Sequence, residues 1–210
     1  MIERFYFPIG LLDVDTDDYD SQKGLLRNIL HYAISSYCRK HANAMSTEWL
    51  GRVFGVVIPE SMTCDDYRNM MRGKFKNVDR DRQPFTSINR NILWRYINML
   101  SDGKIDEDEF VTLIFILALD SIMGRNLDAT IRTTKGMIFA RMNGKPKPSK
   151  KDRQRYKDYE SRRKFEKLKK MASEASYFDF DEGHHRGVVF HRRKRDKSDR
   201  KSPFDENKPF

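Results

Sequence analysis

Residues 106–124 read DEDEFVTLIFILALDSIMG. From Phe110 to Met123 the only polar side chains are Thr112, Asp120 and Ser121. A helix that is apolar nearly all round has no solvent face, so this run predicts a helix to about residue 123 that is the most buried element of the chain. Asp106 and Glu109 stand at the spacing of a capping box ahead of it, and Gly124 ends it. The rest of the fold has to be built around this helix.

Upstream, amphipathic helices are expected one after another. Leu25, Leu26, Ile29, Leu30, Ala33, Ile34, Tyr37 and Cys38 form a stripe at helical spacing over about 22–41. Five aspartates in 13–20 precede it, where a helix N-terminus favours negative charge. A second helix fits 47–57, with Trp49, Leu50, Val53 and Phe54 inward, and Pro59 stops it. Thr63 with Asp66 caps a third, 64–76, and Pro84 with Thr86 opens a fourth at about 87–100. The aromatic segment 4–12 reads as extended chain lying on the core. Cys38 and Cys64 sit in no paired motif and read as small core residues.

The loop DGKIDEDEF, 102–110, resembles the second half of an EF-hand. Aligned on Gly103, however, the first ligand position holds Asn98 and the third holds Leu100, which has no oxygen to offer. The expectation is an interhelical turn followed by a capped helix, without calcium.

Downstream of Gly124 the charge changes. Lys and Arg total 41 against 31 acids, and the surplus is local: residues 145–170 hold 13 bases and 4 acids. Thr133 or Thr134 caps a short helix, 134–143, closed by Gly144. After KPKPSKKD, a basic helix is expected over about 152–175. Tyr177–Asp181 and Val188–Arg192 then alternate aromatic and β-branched residues around a polar loop, the pattern of a hairpin. Residues 194–210 are polar and aperiodic, and are expected to be a disordered basic tail.

The order buried helix, short helix, basic helix, hairpin resembles the winged helix-turn-helix superfamily. The matching segments are FVTLIFILALDSIM, TTKGMIFARMNG (133–144), DRQRYKDYESRRKFEKLKKMA (152–172) and YFDFDEGHHRGVVFHRR (177–193). The short helix and the wing strand look most like those of winged-helix proteins from bacterial mobile elements and phages. The sequence departs from that pattern at 144–151, which is longer than the usual turn. The expected fold is mainly α: a helical N-terminal region (1–104), a winged-helix region (105–193) and the tail.

The resemblance implies duplex DNA binding through the third helix, with the wing on a neighbouring groove or phosphate. The residues give a parallel reading. On a helical wheel Ser161, Phe165, Leu168, Met171 and Ala172 share one face, and Arg155, Tyr159, Arg162, Glu166, Lys169 and Lys170 the other. The candidate contacts are Arg155, Tyr159, Arg162, Arg163, Lys169 and Lys170 on the helix and His184, His185 and Arg186 at the wing tip. Arginines can read guanine edges, while lysines mostly meet phosphates. An ordinary solvated amphipathic helix is the plain alternative.

Several function classes find no support. There is no Gly-rich phosphate loop, nucleophile elbow or HExxH, so neither catalysis nor a cofactor is expected. His184, His185 and His191 lack the cysteine or spaced-histidine partners of a metal site. No apolar run is long enough for a membrane span, and the acidic N-terminus is no secretory signal, so a cytoplasmic place in a bacterial host, or association with a virion, is expected. The expected role is replication or transcription control of a phage or mobile element, with a protein partner or self-association through the N-terminal helices. A structural or assembly protein of a phage particle is the alternative, and RNA binding a third reading.

Overall fold

In the computed structural model, residues 4–14, 18–40, 47–54, 61–76, 78, 83–103, 105–124, 129–149, 155–181 and 187–193 are described. They form a mainly helical protein with two small antiparallel sheets. The chain opens with β1 (Arg4–Pro8) and a 3-10 turn (Ile9–Leu12), followed by α1 (Tyr19–Lys40), α2 (Thr47–Phe54) and α3 (Cys64–Lys74). β2 (Phe85–Asn89) runs directly into α4 (Arg90–Ser101), and α5 (Glu107–Met123) follows. The remainder is β3 (Ile131–Thr133), α6 (Lys135–Met142), a 3-10 turn (Lys157–Glu160), α7 (Arg162–Ala175), β4 (Phe178–Phe180) and β5 (Val188–Arg192).

α5 is the axis of the fold. Every residue from Phe110 to Ser121 is buried, Asp120 included. α6 and α7 pack against it from the C-terminal part of the chain, and β2 and the 3-10 turn at 9–12 from the N-terminal part. One apolar cluster runs from Phe5 to Phe190, so the core is continuous across the expected boundary between 104 and 105. The capping box forms as the spacing implies: Asp106 Oδ1 accepts from the Glu109 amide at 2.7 Å, and Glu109 reaches back to the Asp106 amide at 3.4 Å. Leu100 is buried, and Gly103 has φ 65° in the turn. The Thr63–Asp66 box at the start of α3 forms too.

The structure corrects three expectations. First, the N-terminal region is not all helix. β1 pairs antiparallel with β2, Arg4 opposite Asn89 and Pro8 opposite Phe85. Residues 87–89, read as the start of the fourth helix, are strand; α4 starts after Asn89, whose side chain caps it by accepting from the Asn91 amide at 2.8 Å. Second, the C-terminal sheet has three strands, in the order β3-β5-β4. The hairpin β4–β5 forms as expected, and β3 adds to its far side, Ile131 opposite Phe190 and Thr133 opposite Val188. Third, the basic segment is not one helix. Residues 157–160 make a 3-10 turn, and α7 begins afresh with Ser161 as its N-cap. Trp49, Leu50 and Val53 side chains, residues 55–60 and 150–154, the expected wing tip 182–186 and the expected tail 194–210 lie outside the described residues.

Two glycines hold close approaches. Gly144, φ 70°, ends α6 where a Cβ would stand 2.9 Å from the Ile9 carbonyl oxygen. Gly187, φ 123°, leads into β5 where a Cβ would stand 2.9 Å from the Thr133 carbonyl oxygen. Any side chain at either position meets both an unfavourable φ and a backbone clash.

Candidate nucleic-acid interface

The outer surface of α7 is set by what its inner surface buries. Phe165, Leu168 and Ala172 are buried, at the spacing of one helix face. Phe165 meets Phe115 of α5 and Phe139 of α6 edge-on, with ring centroids 5.8 and 6.1 Å apart. Phe180 of β4 stacks on Phe115 at 6.0 Å and lies 6.3 Å from Phe190 of β5. The three helices and the sheet therefore share an aromatic core, and α7 has one way to sit. Ser161 Oγ accepts from the Lys164 amide at 3.3 Å and closes its first turn.

The 3-10 turn before α7 is pinned to α5. Tyr159 is buried and its hydroxyl donates to Asp108 Oδ1 at 2.6 Å, while Lys167 Nζ donates to Asp108 Oδ2. The Lys167 and Tyr159 hydrogen bonds hold the Asp108 carboxyl below the usual carboxylate range. Burial, then the hydrogen bond to Asp108, pushes the Tyr159 hydroxyl up. Tyr159 is thus part of the core and not of the exposed face where the helical wheel puts it, because the chain is 3-10 and not α-helical through it.

Among the described residues, five cations of the basic block, Arg155, Lys164, Lys167, Lys169 and Lys170, are held by carboxylates of the protein itself. Arg155 lies before the 3-10 turn and pairs with Asp13 at 2.8 Å. Lys164 pairs with Asp158 at 3.4 Å, and Lys170 reaches Glu174 at 4.0 Å. Lys169 pairs with Glu166 at 2.8 Å, its side chain is only 15% exposed, and its ammonium sits 5.5 Å from the centre of the Phe180 ring. Lys135 of α6 donates to the Glu160 carbonyl at 3.2 Å and lies 4.4 Å over the Phe165 ring. Arg162 and Arg163, in the first turn of α7, are exposed and pair with nothing among the described residues. So are Lys147 and Lys157, which the helical wheel does not single out. Among the described residues of the basic block, the free positive charge therefore lies at the start of α7 and before it.

The β4–β5 hairpin is held at its base. Arg193 donates to both carboxylate oxygens of Asp179, at 2.9 and 2.6 Å, and His191 Nδ1 lies 3.3 Å from Asp181. His184, His185 and Arg186 lie outside the described residues, so of the nine sequence-derived contacts the structure brings Arg162, Arg163, Lys169 and Lys170 onto α7.

One cluster had no counterpart in the sequence reading. Asp120, buried in α5, accepts from Arg4 of β1 at 2.7 Å, from Arg192 of β5 at 2.5 Å and from the Tyr177 hydroxyl at 3.2 Å. Its other oxygen accepts from the Ser87 amide and hydroxyl of β2 at 2.8 and 2.7 Å. The Arg4 and Arg192 guanidiniums lie 5.1 and 4.9 Å from the centre of the Tyr177 ring. Burial and the Asp120 charge push its hydroxyl up to about 12. The lone aspartate in the apolar run was the available signal: a charge in a helix buried all round has to be met by partners.

No family profile, curated protein or solved structure matches the chain. Among the described residues, no helix is long and apolar enough to cross a membrane.

Proposed function

We propose that the protein binds nucleic acid, duplex DNA above all, through a winged-helix unit made of α5, β3, α6, α7, β4 and β5. The observation that carries this reading is topological. A helix, a short strand, two helices and a hairpin, with strand order β3-β5-β4, is the arrangement that presents a helix and a wing on one side of a small sheet. In this reading α7 enters the major groove with its N-terminal turn, where Arg162 and Arg163 offer planar, bidentate donors to base edges or phosphates. Lys147 and Lys157 meet the flanking backbone. His184, His185 and Arg186 at the wing tip touch a neighbouring groove or phosphate. The role is control of replication or transcription in a phage or mobile element, in the cytoplasm of a bacterial host.

A second reading, a non-catalytic assembly protein, draws on the internal pairing of Lys164, Lys167, Lys169 and Lys170. A face whose lysines already have carboxylate partners is less cationic than its composition suggests. Binding titrations with duplex DNA, single-stranded DNA and RNA at several salt concentrations separate the readings. Nucleic-acid binding predicts duplex affinity that falls linearly on a log–log salt plot, with counterions released for each neutralised phosphate. Absence of binding to all three at low salt favours the assembly reading.

A further inference from the structure

α1 and α3 pack antiparallel, and this places a second set of cations together. Cys38 near the end of α1 lies against Cys64 at the start of α3, with sulfurs 3.3 Å apart. His31 meets Tyr67 at 5.9 Å, and Tyr32 meets Phe75 at 5.3 Å. The C-terminal end of α3 therefore lies beside the middle of α1, one turn beyond Arg27. Lys23 and Arg27, one turn apart on α1, are exposed, as are Arg72, Lys74 and Lys76 at the end of α3. None of these five makes an ion pair or hydrogen bond with a described residue. Lys74 and Arg27 both act on His31: after burial, their charges are what lower its proton affinity.

The acids of the same two helices, Asp20 apart, are engaged elsewhere. Asp65 pairs with Arg68 at 2.7 Å, Asp66 caps α3 through Thr63, and Asp18 accepts from the Ser21 amide at 2.8 Å. Asp20 lies at the opening of α1, before Lys23. A helix dipole accounts for Arg72 and Lys74 in the last turn of α3. It does not account for Lys23 and Arg27, which lie in the first half of α1. Arg27 and Lys74, both close enough to act on His31, are unpaired like charges that repel in the free protein, and a polyanion relieves that repulsion.

We propose that α1 and α3 carry a second phosphate-backbone contact, formed by Lys23, Arg27, Arg72, Lys74 and Lys76, which lengthens the stretch of nucleic acid the protein covers. The proposal rests on the nucleic-acid reading above and extends it to the other half of the molecule. The partner chemistry follows from the surface. Tyr19, at the start of α1, is the one large apolar side chain exposed on these helices among the described residues, and its hydroxyl is held by the Leu100 carbonyl at 3.0 Å. A protein interface centres on apolar anchors, whereas a row of phosphates needs cations alone.

The test uses the full chain and a 40-base-pair duplex of random sequence, with affinity measured by fluorescence anisotropy across salt. Arg27→Gln/Lys74→Gln is compared with Arg162→Ala/Arg163→Ala, each first checked for a wild-type thermal midpoint. The Arg27/Lys74 variant is expected to fall roughly tenfold in low-salt affinity, and its salt slope to become shallower by about two, because each cation removed leaves one phosphate with its counterion. In the wild-type protein, adding duplex is expected to raise the midpoint of the His31 ring titration by NMR, because phosphates offset the Arg27 and Lys74 charges that face it beside Tyr67.

Wild-type affinity and slope in the Arg27/Lys74 variant overturn the second surface. So does weakened affinity in the variant with a His31 titration that duplex leaves unmoved in the wild type, since that excludes direct contact. Weakening in the Arg27/Lys74 variant alone, with His31 moved, upholds this surface and overturns the role of α7. Weakening in the Arg162/Arg163 variant alone does the reverse. A wild-type protein that binds no duplex overturns both.

Discussion

α5 carries an aspartate at each end, and the two do different work. Asp120 is buried and gathers Arg4, Ser87, Tyr177 and Arg192 from three strands and the start of the hairpin. Asp108 stands at the solvent edge of the first turn, where Tyr159 and Lys167 meet it. The first cluster joins the two sheets through the core; the second fixes the turn that leads into α7. Charge turned inward specifies the fold, and charge at the edge positions a surface. Only the cations that neither cluster consumes remain for a partner.

The largest effect expected from this contrast is at Asp120. Asp120→Ala leaves two guanidiniums without the carboxylate they share, with side chains only 22% and 14% exposed. Breaking a buried pair in this way costs about 3–5 kcal/mol, to be read by urea unfolding. A change below about 1 kcal/mol would show that the cluster is wet and replaceable. Phe165→Ala, which empties the meeting point of α5, α6 and α7, is expected to cost a similar amount, about 3–5 kcal/mol.

The edge cluster is worth less. Tyr159→Phe removes one hydrogen bond to a carboxylate, about 1.5–3 kcal/mol. The pH dependence has a definite sign. Because the folded Asp108 carboxyl is held below its usual range, its stabilising contribution is full above the unfolded value near pH 4 and is lost as pH falls through the folded value. Acid unfolding of Asp108→Asn should accordingly begin from a lower plateau and show a weaker fall below about pH 4 than wild type. An identical acid profile would remove Asp108 from the positioning role.

The same contrast explains what the sequence revealed. α5 was legible because apolarity on every side leaves a helix only one place to be. Its capping box, Asp106–Glu109, and that of α3, Thr63–Asp66, were legible because each is purely local. The β1–β2 pairing was not, since Ile88 continues the periodicity of Ile92, Leu93 and Tyr96 and nothing local separates strand from helix there. β3 is only Ile131–Thr133 and gains its identity from β5. The break before α7 had a local sign in Ser161, an N-cap residue in the middle of a basic run, but Tyr159 could be read as core only once Asp108 was known to lie above it. The proximity of the Cys38 and Cys64 thiols, 26 residues apart in sequence, is a consequence of helix packing.

The smallest stability effect is expected where the functional effect is largest. Arg162 and Arg163 touch no described partner, so Arg162→Ala/Arg163→Ala should leave the unfolding free energy within about 0.5 kcal/mol of wild type. Lys169→Ala removes a largely buried side chain from Glu166 and Phe180 and should affect the fold more than binding.

The most direct measurement is therefore the duplex-DNA affinity of Arg162→Ala/Arg163→Ala beside Lys169→Ala, at one fixed, low salt concentration and on folded protein. A docked α7 predicts a drop of tenfold or more for the arginine pair, about 1.4 kcal/mol or above, and less than about threefold for Lys169→Ala. Wild-type affinity in the arginine variant, whatever happens at Lys169, would contradict the placement of α7 on DNA.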